Sequence, residues 1–249
     1  MRPSLVRWVR QGGLSFVLSV SAAFTAYAKP VSNTPVPPYA DVTTEDIAAS
    51  NKKVAEAYSA LIAMWASDFK QLGASFTPPS VARYRGNVRT SCGIMSANNA
   101  AYCPQRNTIF FDEVFVARQT RAAAQSLGSD GDMAGIGIIA HEMGHAVAIQ
   151  LGEDSYIPYE NEAAADCLAG VFTRHAANDG TLEKGDLEEA FFGLAAAGDP
   201  TPEYTGNRRI DRQISMRAAM LGHGSRDQRL ANFKTGYNGG AGACLAAFR

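Results

Sequence analysis

Residues 138–149 read Ile-Ile-Ala-His-Glu-Met-Gly-His-Ala-Val-Ala-Ile, an apolar run interrupted by His141, Glu142 and His145. Burying two imidazoles and a carboxylate is costly unless something pairs with them. On a helix, positions four apart share a face. His141 and His145 can therefore point at one ion, with Glu142 beside them to act on a water at that ion. Zinc suits this set: it takes imidazole ligands, needs no redox partner and keeps a position open for water in catalytic sites.

Two histidines do not complete such a site. The continuation H-E-x-x-H-x-x-G-x-x-H fails, because Ala148 and Leu151 stand at the last two of its fixed positions. The other arrangement draws a glutamate from the next helix. Asn161-Glu162-Ala163-Ala164-Ala165-Asp166 offers one. Glu162 and Asp166 again lie four apart, so Glu162 can be the third ligand and Asp166 can accept the spare ring N–H of a ligand histidine. Glu160 is the runner-up ligand, but no carboxylate follows it four residues later. Glu153 and Asp154 read as solvated loop acids.

These side chains need two helices to hold them. The pattern predicts one from about Met133 to Leu151, a loop over 152–158, and a second from about Tyr159 to Ala177. The first runs about 9 Å past His145 and the second climbs about 5 Å to Glu162. A seven-residue loop can turn the chain back, so the helices run antiparallel with the ion between them. Gly135, Gly137 and Gly144 all weaken the first helix. Gly144, between the ligands, allows close approach, and Ala163, Ala164, Ala165, Ala169 and Gly170 give the second helix a thin wall; ordinary close packing is the alternative.

Elsewhere, Thr43 or Thr44 can cap a helix bearing Ile47, Val54, Tyr58, Leu61, Ile62, Trp65 and Phe69 at helical spacing, closed by Gly73 and Pro78-Pro79. Residues 80–112 read as short strands around a hairpin-like loop. Asp112 caps a helix ended by Gly128, Asp186 caps another reaching Ala197, and helical pieces broken at 198–206 and 222–224 complete the chain. The fold class is α+β, helix-dominated, with a small antiparallel sheet, as one domain over 43–249. The strand at 107–112 is expected along the cleft, where it could pair with an extended peptide; alternatively Ile109 and Phe111 fill the core.

The 249 residues suffice for one core and fall short of two. With 46% hydrophobic and 19% charged residues, a net charge of -1 and no basic stripe, nothing points to nucleic acid. Residues 1–28 carry Arg2, Arg7 and Arg10 and no acid, then a small apolar stretch ending Ala26-Tyr27-Ala28, the layout of a signal peptide. The apolar core is short against the ~20 residues of a membrane span, so no stable span is expected after cleavage; an uncleaved anchor is the alternative. Removing three arginines shifts the charge from -1 to -4. Residues 29–42, with Pro30, Pro35, Pro37 and Pro38, read as an extended linker. An exported chain, periplasmic or secreted, with Cys92, Cys103, Cys167 and Cys244 suggests two disulfides. Three connectivities exist. Cys92–Cys103 is favoured because it closes a short loop, leaving Cys167–Cys244; four free thiols are the alternative. No C-x-x-C spacing offers zinc a cysteine site.

Four blocks carry a resemblance: AHEMGHAVAIQLG, NEAAADCLAGVF, HGSRDQRLANFKTGYNGGAGACLAAF and CGIMSANNAAYCPQRNTIFFD, together within about residues 80–249. They resemble the bacterial putative neutral zinc metallopeptidases. The resemblance implies a zincin-like fold, Zn2+ as cofactor, His141, His145 and Glu162 as ligands, Glu142 as general base, and a peptide or protein substrate. It also places Cys167 and Cys244 in shared positions, in favour of that disulfide. Arg226 stands where the family often has Ser or Thr, and this tail is richer in glycine.

A peptidase also needs a group to stabilise the oxyanion. His223, between Gly222 and Gly224, is the candidate, with a surface-turn histidine as the alternative; Tyr102 and Tyr156 are further candidates. His175, near a helix end, reads as structural. Two rival functions stand: a non-catalytic exported protein with a stabilising zinc site, and a zinc amidase acting on a non-peptide cell-wall amide. Glu142 speaks for catalysis, since its side chain is not a ligand.

Overall fold

A computed structural model describes residues 42–247. The expected signal peptide and nearly all of the Pro-rich linker lie outside the described residues. Among the described residues, seven α-helices and five short strands follow one another as α1 (Thr44–Gln71), β1 (Ser80–Tyr84), β2 (Val88–Thr90), β3 (Gly93–Met95), β4 (Ala100–Cys103), β5 (Thr108–Asp112), α2 (Glu113–Leu127), α3 (Asp132–Leu151), α4 (Pro158–Asp179), α5 (Asp186–Ala196), α6 (Arg208–Leu221) and α7 (Arg226–Ala247). The architecture is α+β and helix-dominated.

Local chemistry sets most boundaries. Thr43 and Asp46 form a reciprocal capping box on α1. Below it, Ile47, Val54, Leu61, Trp65 and Phe69 bury one stripe. Asp112 caps α2 by accepting from the Val114 N–H at 3.0 Å, and Gly128 ends it in the left-handed region. Asp186 does not cap α5. Gly185 holds that position, and Asp186 is the first helical residue. Its buried carboxylate instead accepts from the Glu183 N–H at 2.7 Å, closing the preceding turn.

The helix carrying the histidines is central. Thirteen of the twenty residues of α3 are buried, so it meets neighbours nearly all round. Beside it, α4 and α7 touch backbone to backbone: a Cβ at Gly236 would lie 1.7 Å from the Cys167 carbonyl oxygen, and one at Gly170 would lie 2.1 Å from that of Phe233. The Cys167–Cys244 disulfide ties the same two helices, and Cys92–Cys103 joins the β2–β3 turn to β4. Among the described residues, no helix is long and apolar enough to cross a membrane.

The sheet differs from a purely antiparallel one. Its order is β1-β5-β4, with β4–β5 antiparallel and β1–β5 parallel, while β2–β3 is a separate antiparallel pair. Hence β5, the strand expected to meet a peptide, is the middle strand, flanked on both sides. Ile109 and Phe111 on it are buried in the core. The two edge strands are β1 and β4, and β4 is the one that lines the cleft.

Candidate metal centre

Gly137, His141 and His145 recur every fourth residue along one face of α3. Across from them, α4 presents Glu162 and Asp166. Contacts run in opposite order along the two helices: His141 meets Asp166, Gly144 meets Ala165, and His145 meets Glu162. The helices are therefore antiparallel. A Cβ at Gly144 would sit 2.7 Å from the Ala165 carbonyl oxygen, so only glycine lets α4 come this close.

Three donor groups converge. His141 Nε2 lies 3.1 Å from Glu162 Oε2, His145 Nε2 lies 3.5 Å from Glu162 Oε1, and the two Nε2 atoms are 3.2 Å apart. An ion bonded at about 2.0–2.1 Å to tetrahedral donors holds them about 3.3 Å apart. Glu162 Oε2 is buried and has no hydrogen-bond partner among the described residues despite its closeness to His141. An unpartnered buried carboxylate oxygen this close to two imidazole nitrogens calls for a cation, and the set fits one zinc ion. Glu160 instead accepts from the Ser155 hydroxyl.

Electrostatics agree with that fit. Burial works against charge on His141, yet the Asp166 and Glu162 carboxylates outweigh it and raise its pKa to about 10. Burial likewise works against a charged Glu162, but His141 and His145 hold it well below the usual carboxylate range. A pocket that draws protons this strongly also draws a cation.

Behind His141 lies a pair of groups, Asp166, which the spacing singled out, and Arg229, which it did not. Asp166, fully buried, meets His141 Nδ1 at 2.9 Å. Its carboxylate also accepts from Arg229 of α7, from Nη2 at 2.6 Å and Nε at 3.0 Å. Arg229 is itself buried, and its Nη1 donates to the Ala197 carbonyl at 3.0 Å. Asp166 and Arg229 thus neutralise each other, leaving Glu142 and Glu162 as two carboxylates to match a divalent ion. Arg229 stands inside the HGSRDQR block, but only its partner 63 residues away reveals its task.

Glu142 is buried beside the histidines, and its Oε2 accepts the Tyr102 backbone N–H at 2.8 Å. The free edge of β4 thereby fixes the carboxylate. All of this opens on a cleft of about 610 Å³ lined by β4, His141, Glu142, His145, Glu162, His223 and Arg229. A larger hollow of about 690 Å³ at Thr44, Lys52, Arg83 and Glu113 brings none of these groups together.

His223 reaches the cleft mouth, with its side chain 60% exposed and Nδ1 3.9 Å from Asp199. Tyr102 lines the cleft, but its hydroxyl donates to Asn107. Tyr156 is 86% exposed and does not line it. His175 pairs with Asp179 near the end of α4, away from the site. Asp154 and Glu153 stand at the cleft rim.

Comparison with known proteins gives the chain a family. The family model described as putative neutral zinc metallopeptidase covers residues 40–248. Two relatives, both named uncharacterized protein YpfJ, come from Escherichia coli strain K12 and strain O6:H1 (CFT073). Each is 31% identical over 218 residues, covering 80% of this chain and 72% of the relative. No solved structure matches the chain significantly. With the match running through both helices and the C-terminal arginine block, the chain belongs to the putative neutral zinc metallopeptidase family.

Proposed function

We propose that the protein is an exported zinc-dependent peptidase in which His141, His145 and Glu162 hold the ion and Glu142 is the general base. The observation that carries this reading is the placement of Glu142. It is not among the converging donors, yet it is buried beside them, with one carboxylate oxygen held by β4 and the other free of any described hydrogen bond. A zinc site built only for stability has no use for such a group.

Bound zinc supplies Lewis acidity to an attacking water and to the scissile carbonyl. Glu142 takes the water proton and delivers it to the departing amine nitrogen, so that neither product leaves with an unfavourable charge. Asp166 holds the His141 ring in the tautomer that carries its proton on Nδ1, leaving the Nε2 lone pair for the ion. The exposed edge of β4 supports an extended peptide through the backbone groups that Glu142 does not occupy. His223 at the mouth supplies the proposed donor to the developing oxyanion. Export rests on the signal-like N-terminus and accords with the two disulfides.

The test is Glu142→Gln. The variant is expected to keep its zinc and lose peptide cleavage by at least about a hundredfold. Retained turnover contradicts the assignment.

A further inference from the structure

The cleft is not uniform along its length. Its floor on α3 runs from Ala134 to Ile149, about 22 Å, enough for six or seven extended residues at about 3.3 Å each. The histidines lie near its centre. Toward the C-terminal end of α3, the walls are Asp154, Ser155 and Asn161. Toward the N-terminal end they come from α2 and α5, which pack there: Val116 approaches Gly135, and Gly193 approaches Ala134. The lining at this end includes Phe115, Ile138, Ala190 and Leu194, with Gly137, Gln119 and Asn98, which Arg118 of α2 holds by a hydrogen bond.

Two features point to an occupant. Gly137 stands one turn before His141 on the same face, and a Cβ built there meets nothing within 4 Å. Open space therefore lies where a side chain at position 137 would project. Gln119 is only 8% exposed, lines the cleft, and has no hydrogen-bond partner for its side chain among the described residues. Its amide atoms are not themselves buried, so they reach the cleft surface, where a polar group of a ligand can pair with them.

We propose that this end of the cleft is a side-chain subsite for a bulky uncharged residue flanking the scissile bond. Gly137 provides the room, and Gln119 hydrogen-bonds a polar tip, so tyrosine is preferred. The inference rests on the peptidase reading, but the subsite can be measured without turnover. No charged side chain appears among the lining residues named at this end, so an acidic or basic occupant would be desolvated without compensation.

The experiment measures binding of blocked alanine-based hexapeptides, each with one central Tyr, Phe, Leu, Ala or Glu, to the zinc-loaded Glu142→Gln protein, which leaves them intact. Tyr, Phe and Leu peptides are expected to bind about tenfold or more tightly than Ala or Glu peptides. Tyr should exceed Phe by roughly threefold. Adding Gly137→Leu, a better helix former, should bring the Leu-to-Ala ratio close to one without lowering zinc content or Tm. Adding Gln119→Leu should erase the advantage of Tyr over Phe alone.

Equal binding across the set, or a full preference surviving Gly137→Leu, overturns the subsite. Tyr and Phe binding equally overturns the role of Gln119. Digestion of the same peptides by the unmodified enzyme separates the two claims. Preferential binding with no bond cut overturns the peptidase reading and supports the subsite. Cleavage indifferent to bulky neighbours overturns the subsite and supports the peptidase.

Discussion

Two clusters of ionisable side chains lie along α3, and they are built to opposite ends. At its N-terminus, Asp130, Asp132, Asp186 and Glu189 gather carboxylate oxygens within 4.8 Å of one another; near its middle, His141, His145 and Glu162 gather donors just as tightly. In the first cluster the charges are occupied. Glu189 accepts from the Gly131 and Met133 N–H groups at 3.0 and 2.9 Å, the donors that open α3. Asp186 accepts from Glu183, and Lys53 Nζ lies 2.6 Å from Asp132. In the second, Asp166 is satisfied by Arg229, but Glu162 Oε2 has no hydrogen bond among the described residues. Crowded carboxylates alone do not make a metal centre. Unspent lone pairs beside nitrogen donors do.

The comparison can be broken most forcefully at Arg229. Arg229→Met leaves the buried Asp166 without its cationic partner, with only the His141 ring N–H to pair it, which should cost about 3–5 kcal/mol of folding stability. It should also weaken zinc binding by roughly 10- to 100-fold through the loosened His141 ring. Denaturant titration and chelator competition read the two effects, and Arg229→Lys should recover part of the second. Unchanged zinc affinity in a folded Arg229→Met protein counts against the positioning role.

A smaller effect is expected at the other cluster. Glu189→Ala strips two N–H groups of their partner and should destabilise the protein by about 1–3 kcal/mol, while zinc stoichiometry stays at the parent value. Loss of zinc there would erase the distinction between the clusters.

The smallest effect is a pH dependence. Burial, reinforced by Asp132, Glu189 and Asp130, raises the Asp186 pKa from an ordinary 3.8 to about 6. The folded state therefore holds this proton more tightly than the unfolded chain does. Its contribution to stability is complete below about pH 4 and is lost as pH rises through about 6. Asp186→Asn, which keeps the acceptor for Glu183, should raise Tm at pH 7–8 and leave it unchanged near pH 4. Thermal melts across that range check the sign.

The parts of the site legible in the sequence were those within one helical turn. His141 with His145 and Glu162 with Asp166 share faces by spacing alone, and the loop between their helices is short. Arg229 obeyed no such rule, because α7 reaches Asp166 only through the close packing of Gly170 and Gly236, a tertiary fact. The strand at 108–112 showed the same limit. Its apolar run fits an edge as well as a centre, and only the pairing of β1 and β4 on either side decides. Asp186 resembled a cap in type and position, but Gly185 in the left-handed region took that place.

Zinc content of the purified protein and of Glu162→Ala, measured by elemental analysis after zinc loading and dialysis, bears most directly on the metal centre. The expected result is one zinc per chain in the parent and little or none in the folded variant. A parent that retains no zinc, or a variant that retains as much as the parent, contradicts the account.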